Sequence, residues 1–475
     1  MVAGGRILTE YGNHLSDRFF YAESMQAVFS DQQRVQAMLD FEAALARAGE
    51  KAGIVPSAAA ATIQRQCRAE LFSIPELAEA VTLSGNPAIP LIKSLERLIT
   101  EVGDDSERYL HLGATSQDVM DTGLILQLRD ALDLLEEQIK TLGGNLAVLA
   151  RQHEKTVLVG RTWLQHAPPV TLGMKISSWL GAVTRHYQRL REMRPRLLCL
   201  QFGGASGTLA ALGEQAWPVT EYLAKNLKLV VPEQPWHTQR DRLAEFAGWL
   251  GSLAGSLGKV GRDISLLMQT ELGEVFEPSL PGKGGSSTMP HKRNPVGAAM
   301  LISTATRAPG LVATMLSAMP QEHERSLGLW HAEWETLPEL CKLVSGALEQ
   351  AGYLAGGLEI NERRMSENLQ CTRGLILAES LSIELAKHLG RHRAHELLEE
   401  CCKAAVAQNQ DLLQVALANS VVNEHIGETD IRRLMEPTKY LGQSSRWVRQ
   451  AIREYSDLFD RESIAKPSQT ESENG

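Results

Sequence analysis

Residues 282–295 read Gly-Lys-Gly-Gly-Ser-Ser-Thr-Met-Pro-His-Lys-Arg-Asn-Pro, a run that sets three hydroxyls beside two cations. Gly282, Gly284 and Gly285 oppose helix and strand alike, because glycine loses the most conformational freedom on ordering. Asn294-Pro295 predicts a helix start, with Asn capping the first N–H groups and Pro at the first helical position. Lys292 and Arg293 lie just before that start, where helix N-termini already favour anions. The segment therefore reads as a lid that carries a hydroxyl and two cations, with Lys283 a third, onto an anionic substrate. A phosphate-binding loop is excluded, since Gly284 follows Lys283 where Ser or Thr is needed.

Three further segments carry groups able to do chemistry. His111-Leu-Gly-Ala-Thr115-Ser116-Gln-Asp118 offers hydroxyls and helix-start N–H groups to a carboxylate, although Thr-Ser-Gln-Asp alone is also a good helix cap. Gly160-Arg161-Thr162-Trp163-Leu164-Gln165-His166 combines a cation, an indole and an imidazole. Gln321 to Glu335 holds Arg325, suited to bidentate carboxylate pairing, and Trp330 and Trp334, whose spacing equally fits a core stripe. Gly203-Gly204-Ala-Ser206-Gly207 lacks the spacing of a dinucleotide fingerprint. His388, His392 and His395 share helical spacings, but Arg391 and Arg393 beside them favour a solvated helix end over a metal site.

Long helices must position these segments. Leu128, Leu132, Leu135, Ile139, Leu142, Leu146 and Leu149 form a seam of alternating fours and threes, as do Leu243 through Leu267. Gly248, Gly251, Gly255 and Gly258 in the second seam let neighbouring helices approach closely. Further helices are predicted over 170–194, 206–226, 296–319 and 332–358. At 475 residues the chain exceeds one core, and its 5% aromatic content leans toward helix. The expected architecture is all-α in three domains: 1–110, a central bundle at 111–360, and 361–464, with 465–475 a disordered tail. A net charge of −9 argues against nucleic acid and acidic membranes, so an anionic ligand needs local cations. No secretory h-region, no run of about 18 apolar residues and six scattered cysteines predict a cytoplasmic protein with free thiols.

The run Ser286-Ser287-x-Met289-Pro290-x-Lys292-x-Asn294-Pro295 resembles the signature loop of the fumarase/aspartase superfamily, which includes argininosuccinate and adenylosuccinate lyases. The resemblance implies a homotetramer whose active sites are each built from three chains. It makes Ser286 the proton-transferring group, with Ser287 the alternative, and Lys292 and Arg325 the cations around the reaction. His111, Thr115, Ser116, Trp163, Gln165, His166, Ser287 and Asn294 then line the substrate, with no metal or organic cofactor. One departure is informative: lyases of this superfamily place a histidine, the general acid, where this chain has Trp163. Expelling an amine needs that acid, whereas a carboxylate does not, because its conjugate acid has a pKa near 4. Trp163 and the Trp330-His331-x-Glu333-Trp334 block resemble the carboxymuconate cycloisomerase branch, which closes a γ-lactone on a small tricarboxylate. An adenylosuccinate-lyase-like elimination using His166 or His111 as acid is the alternative, and a non-catalytic structural role ranks last because the loop is complete.

Overall fold

The computed structural model describes residues 14–280, 282, 284, 285, 289 and 291–465; the expected proton donor Ser286, with Ser287 and Lys283, lies outside them. The chain is all-α apart from two small two-stranded sheets, with nineteen α-helices among the described residues. It divides into two compact units, and the divisions fall inside the long helices.

The first unit comprises 14–139, 186–258 and 300–350. Its N-terminal part packs the helix Asp31–Lys51, capped by Ser30 Oγ accepting from Gln33 N, with Ser57–Gln66, Ile74–Ser84 and Ala88–Thr100. Parts of the long helices Ser116–Gln152, Leu172–Leu197, Asp241–Leu267, Val296–Ser317 and Leu329–Gly357 complete it. The two seams are its core: Leu128, Leu132, Leu135, Ile139, Leu243, Phe246, Leu250 and Leu253 are fully buried. Glycine has a steric role in the second seam, where a Cβ on Gly258 would lie 2.3 Å from Ala305 Cβ.

The second unit comprises 140–185, 259–299 and 351–465. Helices from Glu362–Leu369 to Glu428–Leu434 close over a core that includes Leu377, Leu381, Leu385, Leu397 and Leu412. An antiparallel hairpin, Val157–Thr162 with Gln165–Thr171, joins this core through Val159.

Two expectations are corrected here. The hairpin was not anticipated, because Pro168 and Pro169 mask the β-branched run around Val157 and Val170. The helix expected over 206–226 starts only at Ala216, after a 3-10 turn at Ala210–Gln215. Left-handed Gly207, Leu209 and Gly213 break the helix before that point.

Candidate active site

In the first unit, the start of the helix Ser116–Gln152 is built around one carboxylate. Asp118 is fully buried and accepts five hydrogen bonds. Oδ2 takes Thr115 N at 3.1 Å and Gly204 N at 2.8 Å. Oδ1 takes Gly203 N at 3.1 Å, Gln201 Nε2 at 3.1 Å and the ring Nε2 of His237 at 2.9 Å. Helix start and glycine loop are thus fixed to each other through Asp118. The loop needs glycine there, since a Cβ on Gly203 would lie 2.5 Å from His237 Cε1. Thr115 and Ser116 sit half-buried at this helix start, and neither hydroxyl has a partner among the described residues.

Arg325 is tied to the same place. It donates to Gln117 Oε1 at 2.8 Å and to the carbonyls of Gly204 and Ala205 at 3.0 and 2.8 Å. Three of its five N–H groups are spent on neutral acceptors, and among the described residues no carboxylate offsets its charge. His111, five residues ahead of the helix, holds Glu42 Oε1 at 2.6 Å through Nδ1.

One layer deeper lies an ionic cluster. Arg240 pairs with Asp121 at 2.7 and 3.0 Å and with Glu333 at 2.5–3.1 Å, all buried. Trp330 is also buried and donates Nε1 to Asp121 Oδ1 at 3.0 Å, while its ring meets Trp334 edge-on with centroids 5.0 Å apart. Burial pushes the Glu333 carboxyl up, against the pull of Arg240, because one cation serves two acids. Trp330 is therefore part of the support, as its helical spacing allowed.

In the second unit, the hairpin carries Trp163 and Leu164 at a two-residue tip. Both are left-handed, at φ 52° and 62°, the geometry such a tight turn demands and which Asn-Gly would adopt with less strain. The strain, about 1–2 kcal/mol per residue, holds an indole and an isobutyl group outward; they are 97% and 78% exposed in this chain. Arg161 anchors the hairpin close to its tip by a bidentate pair with Glu274, at 2.9 and 2.7 Å, and Asn368 donates to Glu274 Oε1 at 2.8 Å. Gln165 is exposed opposite Thr162, and His166 is half-buried opposite Arg161. Burial and then the Arg161 charge lower the His166 pKa, despite Glu274, and its Nδ1 is buried without a partner among the described residues.

The loop before the helix Val296–Ser317 behaves differently from its sequence reading. That helix is capped by Glu277, whose carboxylate accepts from Gly297 N at 3.0 Å and Ala298 N at 2.7 Å, not by the Asn294 side chain. The N-terminal anion position is thus already occupied by this chain. Arg293 is already engaged by its own chain: it pairs with Glu359 at 2.7 and 2.9 Å, donates to Glu277 O and lies over the Phe276 ring. Lys292 is exposed and unpaired among the described residues, and Asn294 N closes the turn onto Gly284 O at 2.9 Å. A Cβ on Gly284 would lie 2.8 Å from Asn294 O, which with its φ of +70° explains the glycine.

The sequence-derived residues thus fall into two groups. His111, Thr115, Ser116 and Arg325 gather in the first unit, whereas Trp163, Gln165, His166, Lys292 and Asn294 belong to the second. Sequence reasoning missed Glu42, His237 and Arg240. Their partners lie tens to more than a hundred residues away, and no local spacing announces such pairs.

Residues 19–310 match a family model described as "Lyase", and 374–451 match one described as "Adenylosuccinate lyase C-terminus". The 3-carboxy-cis,cis-muconate cycloisomerase of Pseudomonas aeruginosa is 61% identical over 446 residues, 94% of this chain and 97% of the relative. The crystal structure of the 3-carboxy-cis,cis-muconate lactonizing enzyme from Pseudomonas putida superposes with a TM-score of 0.91 at 60% identity, covering 94% of this chain and all of that one. A fumarate lyase from Mesorhizobium gives 0.85 at 40% identity, covering 91% and 98%. The chain belongs to the lyase family of the fumarase/aspartase superfamily.

Proposed function

We propose that this chain closes 3-carboxy-cis,cis-muconate to a carboxymuconolactone, adding one substrate carboxylate across the substrate's own double bond. The observation that carries the reading is the hairpin tip: an indole stands where lyases of the superfamily present an acid, and the nearby His166 is drawn toward its neutral form. A site so equipped expels an amine poorly but needs no acid for a carboxylate. The high identity to relatives named for this lactonisation supports the same reading.

The substrate is a trianion, and the chain itself carries −9, so binding relies on local cations. Lys292 and Arg325 supply them, and His111, Thr115, Ser116, Gln165 and Asn294 donate hydrogen bonds. As a carboxylate oxygen attacks the alkene, charge builds on the carbon beside another carboxylate. Cations aimed at that carboxylate bind this state more tightly than the ground state. Ser286 hands a proton to the carbon, with Ser287 the alternative, and Trp163 excludes water. A C–O bond forms, a π bond breaks, and one proton is drawn from solvent as trianion becomes dianion.

We further read the chain as a cytoplasmic homotetramer with shared sites. The exposed Trp163 and Leu164, the exposed Gly248, Ser252 and Gly255 on one helix, and the apolar helix Val296–Ser317 support self-association. By length and composition alone that last helix could cross a membrane, and a third of its most apolar window is buried in the chain. Arg307 within it pairs with Glu339 at 2.9 Å, which suits a helix packed among protein. Light scattering on the purified protein tests the assembly.

The activity test is direct: carboxymuconate should lose its diene absorbance, with uptake of one proton per turnover in weak buffer. Fumarate release from adenylosuccinate without diene loss would instead support the elimination reading, to which the C-terminal family match also points.

A further inference from the structure

We infer that Glu42 is a positioning residue that clamps the His111 ring through Nδ1 and leaves Nε2 to donate, making the ring a cationic anchor for one substrate carboxylate. The inference rests on the function proposed above.

Glu42 sits in the middle of the helix Asp31–Lys51, flanked by buried Phe41, Ala43, Ala44, Leu45 and Ala46, and is only 1% exposed. A carboxylate taken out of water there costs several kcal/mol unless it is paired. Its partner is the His111 ring, at 2.6 Å; its other oxygen, Oε2, is buried and makes no hydrogen bond among the described residues. An apolar side chain would fill such a place without that cost, so stability does not account for a glutamate. What the carboxylate supplies is direction and charge for the imidazole.

The ring itself is held for use. His111 has a left-handed backbone, at φ 55°, an uncommon conformation for a residue other than glycine. The turn behind it is fixed, because Gly113 is also left-handed and a Cβ there would lie 2.6 Å from Leu212 Cγ. The side chain remains 22% exposed, and Nε2 has no partner among the described residues. Burial lowers the His111 pKa, but the Glu42 charge, the Glu42 hydrogen bond and the charge of Asp118 outweigh it, so the net shift is upward. Glu42 from the helix Asp31–Lys51 and Asp118 from the helix Ser116–Gln152 are the charged groups acting on the ring, and both are acids. A histidine with a raised pKa is charged below that pKa and loses its charge as pH rises through it. Carboxylate binding should therefore hold at low pH and weaken above.

The test records histidine titrations by NMR on the substrate-free protein, with His111 assigned by its loss in His111→Gln. Glu42→Gln keeps the shape and removes the charge. His111 should titrate above an ordinary histidine in the wild type and lower in Glu42→Gln, where the charge that raises it is gone. The KM for carboxymuconate near neutral pH should rise about tenfold, the difference between a hydrogen bond to a charged donor and one to a neutral donor, while kcat changes less than twofold. Glu42→Asp, charged but too short to hold the contact, should recover part of the loss. His111→Gln should raise KM similarly, with no further rise in the double variant.

Unmoved titration, or a KM profile overlaying the wild type in a folded Glu42→Gln protein, would overturn the clamp. If Glu42→Gln fails to fold, an unchanged KM in His111→Gln overturns it equally. The titration needs no substrate, so a high, Glu42-dependent His111 in a protein that consumes no diene would remove the proposed function and leave the pairing standing.

Discussion

Replacing Asp118 by Asn swaps one carboxylate oxygen for an amide NH2 in a fully buried position. Oδ2 faces two backbone donors, Thr115 N and Gly204 N, while Oδ1 faces Gly203 N, Gln201 Nε2 and the His237 ring. Either orientation of the new amide therefore points donors at donors and loses at least two charge-assisted hydrogen bonds. At about 1.5–3 kcal/mol each, the local loss is about 3–6 kcal/mol. Relief from burying a charge offsets part of it, so about 3 kcal/mol is the expected net, or roughly a hundredfold in local opening. Hydrogen exchange by mass spectrometry on peptides covering 111–118 and 199–209 reads this directly. Protection there should fall by about two orders of magnitude while the seam around Leu132 and Leu135 keeps its own. Turnover should fall with it, because Arg325 is bonded to the same loop and helix start. Protection unchanged within about threefold would refute the idea that Asp118 joins the two segments.

Four other substitutions test the reading. Glu277→Gln halves the cap on Gly297 and Ala298, and should cost about 1 kcal/mol, seen as a lower denaturation midpoint. Gly160→Ala places a Cβ 2.3 Å from Pro168 O at the bulge and should destabilise the hairpin enough to lower the melting temperature by several degrees, whereas Gly85→Ala, strained but spatially open, should cost less. Ser286→Ala should abolish lactonisation while light scattering gives the wild-type mass; unchanged turnover would remove the serine as proton donor.

What was legible in the sequence was local and periodic. The two seams predicted the helices Ser116–Gln152 and Asp241–Leu267, and their apolar positions are the buried ones. The Thr-Ser start and Arg325 were visible as types suited to anions, and the structure brings them into one unit. The glycines of 203–208 were visible as a loop but not as Asp118 ligands, since that pairing spans 85 residues. Trp163-Leu164 carried no turn signal, because the left-handed conformation there is imposed by the strands and the Arg161–Glu274 anchor rather than by residue preference.

The misreadings share a physical cause that bears on the mechanism. Asn294 and Arg293 have the right types for a cap and an anion site, yet Glu277 occupies the helix terminus and Glu359 takes the guanidinium. Both competitors are acids supplied from outside the loop, and together they neutralise the positions nearest the helix. Lys292 escapes them, with its ammonium unpaired among the described residues. A segment whose other charges are already satisfied by its own chain can hold one cation for a ligand, and that selects Lys292 over Arg293. Lys292→Met should therefore raise KM far more than Arg293→Met, whose main effect should be a lower melting temperature; equal effects on KM would mean that the Glu359 pairing yields to substrate.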